Sequence, residues 1–439
     1  MPLLSVIVTS YNIENYLAGC LDSVINQTLR DIEIIVVDDG SSDRTPEIIR
    51  DYADKDSRIR PILLPENTIG GVASAANAGL DAATGTYVGF ADGDDYLELD
   101  MFERLVTAAR AHQSDLAMCK YRLVDELGAQ MAPAEKHRWL RFRGTEHVEL
   151  DSDEAIIEIL RFIAVPWRKI YRREMIEANR IRFPVVDYFW EDNPFHWFSV
   201  CAASDIVMVP DVLCYHRVGR VGQTMATRDA GLLNMFGHYD TIRDWLEKRE
   251  LLDRFQVTLL GWAISQFEWI QKRLPEEVGV QLYDTLARII RPIDAETYGA
   301  AVKDKSGKTA DILQFVRDAD RPAFLTSFGK QFRNENTTGG GKLVPRLKRA
   351  GTLVKTGTNS LRTRGFRDTF SRVTQRLSRQ NKVLERGLRA ESGSVSEKHM
   401  LAYLTLLQRD IERKHLEQME RLKLIEDELR DLRKTQKTP

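Results

Sequence analysis

Cysteine is scarce in this chain, and the few that exist are dispersed. The 439 residues hold four, at Cys20, Cys119, Cys201 and Cys214, none in a CxxC pair and each within an apolar run. That excludes a disulfide framework and a cysteine zinc site, and reads as small core residues in a reducing compartment. No stretch approaches the eighteen or so apolar residues that a membrane-spanning helix needs. The N-terminal MPLLSVIVTSYN has no basic n-region and no small-residue cleavage site, so nothing in it reads as a secretory signal. Net charge is also small: 63 Lys and Arg against 65 Asp and Glu leave −2, so the overall balance names no partner. The expectation is a cytoplasmic protein, with attachment at the inner face of the cell membrane as the refinement argued below.

Apolar residues make up 43% of the chain and charged residues 29%, ample for a core and unlike a disordered chain. The length points to two or three domains. In the first 120 residues two periods alternate. Short apolar runs at 3–8, 32–37, 59–64, 86–91 and 114–120 read as strands. Between them come helical stretches, including one opened by Asp43, Thr45 and Pro46 and a small-residue helix over 72–83. Strands separated by helices predict an α/β fold with a doubly wound, mostly parallel sheet, whose ligands sit beyond the carboxyl ends of the strands. Helices are expected near 151–163 and 190–203, a strand at 205–209, and a helical region from about 228 to 330.

Three polar clusters fall at strand ends: Thr9-Ser10-Tyr11-Asn12, Asp38-Asp39-Gly40-Ser41-Ser42 and Asp92-Gly93-Asp94-Asp95. A single Asp after a strand is ordinarily a turn or helix-cap residue. Three carboxylates within four residues repel one another and call for a cation. A hard divalent ion takes oxygen ligands and keeps phosphate oxygens in its shell. Asp92–Asp95 therefore read as a site for Mg²⁺ or Mn²⁺ carrying a diphosphate, and Asp38-Asp39 as acceptors for a base or ribose.

With those strings in place, the first 225 or so residues resemble a family 2 glycosyltransferase of the GT-A fold. The resemblance rests on SVIVTSYN (5–12), VVDDGSSD (36–43), GVASAANAGLDAATGTYVGFADGDD (71–95), PWRKIYRREM (166–175), RFPVVDYFWEDNPF (182–195) and YHR (215–217), in the family's order. It implies that Thr9 and Tyr11 line the base pocket and that Asp39, with Asp38 nearby, bonds the base. It implies that Asp92 and Asp94 hold ribose and metal–diphosphate, and that Asp95 shares the metal or positions the sugar. Asp192 matches the catalytic base, with Glu191 beside it. Trp167 and Lys169 match a WxK-type stretch under the acceptor side. Arg217, with His216, Arg220 and Gln223-Thr224, lies in a segment that closes over the diphosphate in relatives. For His216 two readings stand, metal ligand or packed residue; for Glu191-Asp192 a helix cap is compatible with the catalytic role. The implied reaction is attack of an acceptor hydroxyl, deprotonated by Asp192, on a nucleotide-sugar, with inversion. The donor is expected to be a UDP-sugar, and the acceptor a glycan or lipid-linked glycan of the cell envelope.

Departures from the family pattern also inform. Ala75-Ala76-Asn77 lacks the basic residue relatives carry there. No QxxRW-type string is present, which argues against a processive, polymer-exporting synthase. A nucleotidyltransferase would need a Gly-rich basic loop after the first strand, and residues 9–14 contain no Gly, Lys or Arg. A catalytically silent GT-A scaffold acting through its tail is the third alternative.

The chain is read as a GT-A domain over 1–225, a helical domain over 226–333, a flexible linker and basic segment over 334–392, and a charged helix over 393–439. The linker is marked by NENTTGGG at 334–341. Residues 342–389 carry fourteen Lys and Arg against Asp368 and Glu385, with Phe366, Phe370, Val373 and Leu377 on one helical face. This basic amphipathic pattern suits either a solvated linker or a peripheral contact with an anionic membrane; nucleic acid is not expected. Over 398–436, Leu401, Leu404, Ile411, Leu422, Ile425, Leu429 and Leu432 fit one heptad frame, interrupted by Gln408, His415 and Gln418, which predicts a homo-oligomeric coiled coil or a single solvated helix.

Overall fold

A computed structural model of the chain describes residues 1–125, 128–219 and 229–330. The expectations for Arg220, Gln223, Thr224, the 334–341 linker, the 342–389 basic segment and the 398–436 heptads lie outside those residues. All described residues belong to one compact unit, Met1–Glu335.

Ten strands form one sheet among the described residues: β1 Leu4–Ser10, β2 Ile32–Asp38, β3 Ile59–Leu63, β4 Tyr87–Asp92, β5 Tyr96–Leu97, β6 Leu116–Val124, β7 Gln130–Pro133, β8 Glu146–Glu149, β9 Lys169–Arg172 and β10 Asp205–Arg217. The order is β3-β2-β1-β4-β9-β6-β10-β5, with β7 on β6 and β8 on β10. The pairs β1–β2, β1–β4, β2–β3 and β6–β10 are parallel. Strand β9 runs antiparallel to both β4 and β6 and joins two parallel halves. The sheet is therefore mixed, mostly parallel, rather than wholly parallel. Lys169–Arg172 is only four residues long, so no periodicity announces it; its place comes from pairing with β4 and β6.

Parallel strands covered on both faces become near-continuous apolar runs. Accordingly β1 is buried along its whole length, and β2 and β4 nearly so. The small-residue helix Val72–Ala82 lies against β1, and Gly79 sits directly over Ile7. Larger side chains there would hold helix and sheet apart. Phe90, Tyr171, Phe183 and Phe195 form an aromatic cluster, with Phe183 and Phe195 stacked at 3.9 Å between ring centroids. That cluster ties β4 and β9 to the helix Asp192–Ala202. Helices Gly237–Glu247, Leu252–Ile270 and Gly279–Ile290 extend the same hydrophobic core. Among the described residues, no helix is long and apolar enough to cross a membrane.

Candidate active site

The carboxyl ends of β1, β2 and β4 meet at one rim, as the registers Ser10 with Asp38 and Thr9 with Asp92 require. The loops after β1 and β2 are laced together there. Asn12 takes the left-handed backbone (φ 49°), so its main-chain N–H donates to Ser41 Oγ at 2.8 Å and its Oδ1 accepts from Ser42 N at 2.9 Å. Thr45 Oγ1 and Asp43 Oδ2 accept from the N–H groups of Ile13 and Glu14. This rigid floor leaves Tyr11 47% exposed, an open aromatic face, while Thr9 is buried beneath it.

Asp38 and Asp39 are both 1% exposed. Asp38 accepts from Ser41 N at 2.9 Å, Ser41 Oγ at 2.6 Å and Ser10 Oγ at 3.1 Å. Asp39 accepts from Asn67 Nδ2 at 2.9 Å and Thr68 Oγ1 at 2.8 Å. Here both carboxylates hold loops: Asp38 shapes the 39–42 turn, and Asp39 pins the 66–69 segment. Asp39 is nonetheless held somewhat above the usual carboxylate range, first by burial.

The second centre is the turn after β4. Gly93 N donates to Thr9 O at 3.0 Å, and Asp95 N to Asp92 O at 2.9 Å, so the DGDD turn is tied to β1. Asp95 then meets the end of β10. Its Oδ2 lies 2.8 Å from His216 Nδ1, and its Oδ1 accepts from Arg217 N at 2.8 Å. Arg217 Nε donates to Asp94 O at 3.0 Å, and its guanidinium lies over Tyr16 and Tyr96. Trp167 stacks on the His216 ring at 5.2 Å and meets Tyr121 edge-on. Ligand atoms of Asp92, Asp95 and His216 all lie within 4.8 Å of one another.

The electrostatics show how crowded this is. Burial, then Asp95 and Asp94, raise Asp92 well above the usual carboxylate range, and Glu191 adds to the push. Burial also lifts Asp95, against the pull of His216. His216, despite burial, is raised to about 9 by Asp95 and the neighbouring acids. Two carboxylates and an imidazole in this spacing suit a divalent cation that accepts both oxygen and nitrogen ligands. The group that converges includes Asp92 and Asp95 with His216; Asp94, 7% exposed, lies alongside with its main-chain oxygen engaged by Arg217.

The third centre is the Glu191-Asp192 turn at the start of Asp192–Ala202. Asn77 positions the approach to it: its amide donates to Phe183 O at 2.8 Å and accepts from Phe183 N at 2.9 Å. Both bonds of Asn77 go to backbone. Burial, then Asp192, lift Glu191 to about 8. Burial raises Asp192 as well, opposed by Lys169. Lys169 is fully buried, donates to Ala164 O at 2.9 Å and Val165 O at 2.8 Å, and is pushed well below the usual amine range by burial. Trp167 and Lys169 thus sit under the two acidic centres, one beneath His216 and the other beside Asp192.

The residue pattern of glycosyl transferase family 2 matches residues 5–178. A putative glycosyltransferase of Bacillus subtilis, EpsH, is 35% identical over 261 residues, which span 59% of this chain and 73% of EpsH. The chain belongs to glycosyl transferase family 2. The uncharacterized glycosyltransferase EpsJ of the same organism is 39% identical over 219 residues, 49% of this chain and 61% of EpsJ, so the family 2 chain spans less than two thirds of that relative. The crystal structure of S. aureus TarS 1-349 in complex with UDP-GlcNAc aligns with a TM-score of 0.61 and 23% identity, covering 75% of this chain and 92% of that one. That likeness identifies the fold as GT-A. The family assignment read from the motif strings holds, and so does the α/β architecture with helices following the sheet.

Among residues not singled out from the sequence, Asn193 bonds Asp192 and Trp262 bonds Asn193. Trp262 is 69 residues from Asn193. No local pattern could have joined them.

Proposed function

We propose that this family 2 chain is an inverting glycosyltransferase that moves one sugar from a UDP-sugar to a hydroxyl of a glycan or lipid-linked glycan in cell-envelope polysaccharide synthesis. The observation that carries the reading is electrostatic. Glu191, next to Asp192, lies close enough to Asp92 to push its carboxyl upward, which supports reading the acids at the helix start and the DGDD turn as neighbouring parts of one site. One acidic centre suits a diphosphate with its counter-ion, and the other a nucleophile's proton.

Tyr11 offers an exposed aromatic face for a nucleobase, with Thr9 below it. The uridine assignment is supported by the UDP-GlcNAc that TarS holds in its structure. Asp39 acts through the 66–69 segment that its carboxylate fixes, which walls the base pocket. Asp92, Asp95 and His216 would hold Mn²⁺ or Mg²⁺, which when bound neutralises charge on the departing diphosphate. Arg217 is braced by Asp94 O, Asp95 and two tyrosines, and adds a planar cation at the same place.

Asp192 is the base. A sugar hydroxyl is a weak nucleophile, and a carboxylate within hydrogen-bond reach takes its proton as the new bond forms. A raised pKa makes Asp192 a stronger acceptor than a solvated aspartate, and Lys169 opposes that rise. Glu191, near 8, carries a proton over much of the neutral range and so relieves repulsion beside Asp192. Attack from the Asp192 side, opposite the leaving diphosphate, inverts the anomeric centre.

The test is release of nucleoside diphosphate by the purified chain with Mn²⁺ and a panel of nucleotide-sugars, followed by mass spectrometry of the product on candidate acceptors. Release from a UDP-sugar, lost in Asp192→Asn, supports the reading. No turnover and no donor hydrolysis with any nucleotide-sugar overturns it.

A further inference from the structure

We infer that Asn193 and Trp262 are positioning residues for the base: the indole of a distant helix sets the orientation of an amide, and that amide holds the Asp192 carboxylate. The inference rests on the transferase reading and adds a role for the helices beyond residue 229, which contribute none of the expected site residues.

Trp190 has φ 73°, a left-handed backbone that a bulky side chain rarely adopts. This turns its carbonyl back over the start of the helix. The carbonyl accepts from Asn193 N at 3.1 Å and from Asn193 Nδ2 at 3.2 Å. The other Nδ2 hydrogen goes to Asp192 Oδ1 at 2.9 Å. Asn193 Oδ1 accepts from Trp262 Nε1 at 3.2 Å. Each hydrogen of the amide and its oxygen are thus engaged.

The chemistry of indole makes the arrangement one-way. An indole N–H only donates, so it can face only the amide oxygen. With Trp262 in place, the NH₂ end of Asn193 must face Asp192 and Trp190. Rotating the amide by half a turn would set its NH₂ against the indole N–H and its oxygen against a carboxylate, two repulsions at once. Trp262 lies on Leu252–Ile270 and packs on the shared core, so it is fixed independently of the 184–192 segment. Strained backbone kept in place by surrounding bonds is what positioning of a reactive group requires.

The titratable and charged neighbours facing Asp192 are Glu191 from its own turn, Lys169 and Tyr171 from β9, and Tyr121 from β6. The Asn193 hydrogen bond favours the ionised form of Asp192, as Lys169 does. Losing it should therefore raise the Asp192 pKa and move the acid limb of the kcat profile to higher pH.

The experiment compares full-length wild type with Trp262→Phe, Asn193→Ala and Asn193→Asp, with melting temperature followed in each. Wild-type turnover is the first arm; its absence would refute the transferase reading itself. Given turnover, Asn193→Ala should lower kcat by about ten- to a hundredfold with little change in donor KM, and shift the acid limb upward. Asn193→Asp, which keeps the acceptor for Trp262 but loses the donor, should shift that limb furthest. Trp262→Phe should lower kcat by about fivefold, the worth of one hydrogen bond. A readout free of activity is the Trp262 indole N–H resonance in protein labelled at tryptophan, which should move with pH in wild type and stay fixed in Asp192→Asn. Unchanged kcat and acid limb in folded Asn193→Ala and Trp262→Phe, or an indole signal indifferent to Asp192, would overturn the inference.

Discussion

At Asp192 the fold sets two opposed influences on one carboxylate: burial lifts its pKa, and the Lys169 ammonium pulls it back. Asp192→Asn keeps shape and hydrogen-bonding but cannot take a proton, so kcat should fall by about a hundred- to ten-thousandfold while UDP affinity stays near wild type, as calorimetry would show. Glu191 yields a pH prediction. Its pKa in the fold is about 8 against an ordinary 4.5, so over that interval the folded chain keeps a proton that the unfolded chain has released. Stability contributed at Glu191 is therefore lost as pH rises toward about 8. Glu191→Gln has no such proton to lose, and its melting temperature relative to wild type should climb between about pH 5 and about pH 8, then level off. A constant difference across that range would mean Glu191 is not held neutral. The ion site divides two expectations. If Asp92, Asp95 and His216 hold the cation, Asp95→Asn and His216→Asn should each weaken Mn²⁺ binding about tenfold or more, and Asp94→Asn much less. If Asp92 and Asp94 hold it, the Asp94 variant should be the most damaged.

Among elements, the turn after β4 depends on a residue with no side chain. A Cβ on Gly93 would stand 2.8 Å from Thr9 O, a backbone atom that cannot swing aside. Gly93→Ala must push the DGDD turn off β1, at a cost of about 1–3 kcal/mol in unfolding free energy. Because Asp95 lies in that turn and holds His216 and Arg217 of β10, donor binding should weaken along with the melting temperature. The strands feeding the site were legible: β1, β2 and β4 are unbroken apolar runs closed by polar residues, and their observed ends lie within two residues of the expected ones. The helix that Asp192 opens was legible through the apolar residues after it. β9 was not, because Lys-Ile-Tyr-Arg has no pattern of its own and gains strand geometry from partners on both sides. Nor could the sequence reveal how Asp38 and Asp39 spend their oxygens. Ser10, Asn67 and Thr68 lie 28 or 29 residues from the acids they bond, and only the closing of the rim brings them together. His216 stood between two readings for the same reason: its partner Asp95 is 121 residues away.

For the whole molecule, the compact unit that ends at Glu335 contains every residue assigned here to donor, base and ion. Its hydrophobic core runs unbroken from β1 to Phe328, joining the sheet to the helices that follow it. A chain of residues 1–335 should therefore unfold in one cooperative transition and hydrolyse or transfer the donor sugar at the full-length rate, measured as UDP release per site. For the segment beyond, the sequence-based expectation of a membrane contact can be separated from catalysis by experiment. Fourteen basic residues over 342–389, each contributing about 1 kcal/mol near an anionic surface, are far more than a single membrane contact requires. Full-length protein should co-sediment with phosphatidylserine-containing vesicles, and binding should fade as salt shortens the Debye length from about 10 Å at 0.1 M to about 3 Å at 1 M. The 1–335 chain should stay in the supernatant while remaining active on a soluble acceptor. If the truncated chain binds vesicles equally well, the basic segment is only a linker. If it loses soluble-acceptor activity while still folded, the tail takes part in catalysis, and the division into a self-sufficient transferase and a tethering tail is wrong.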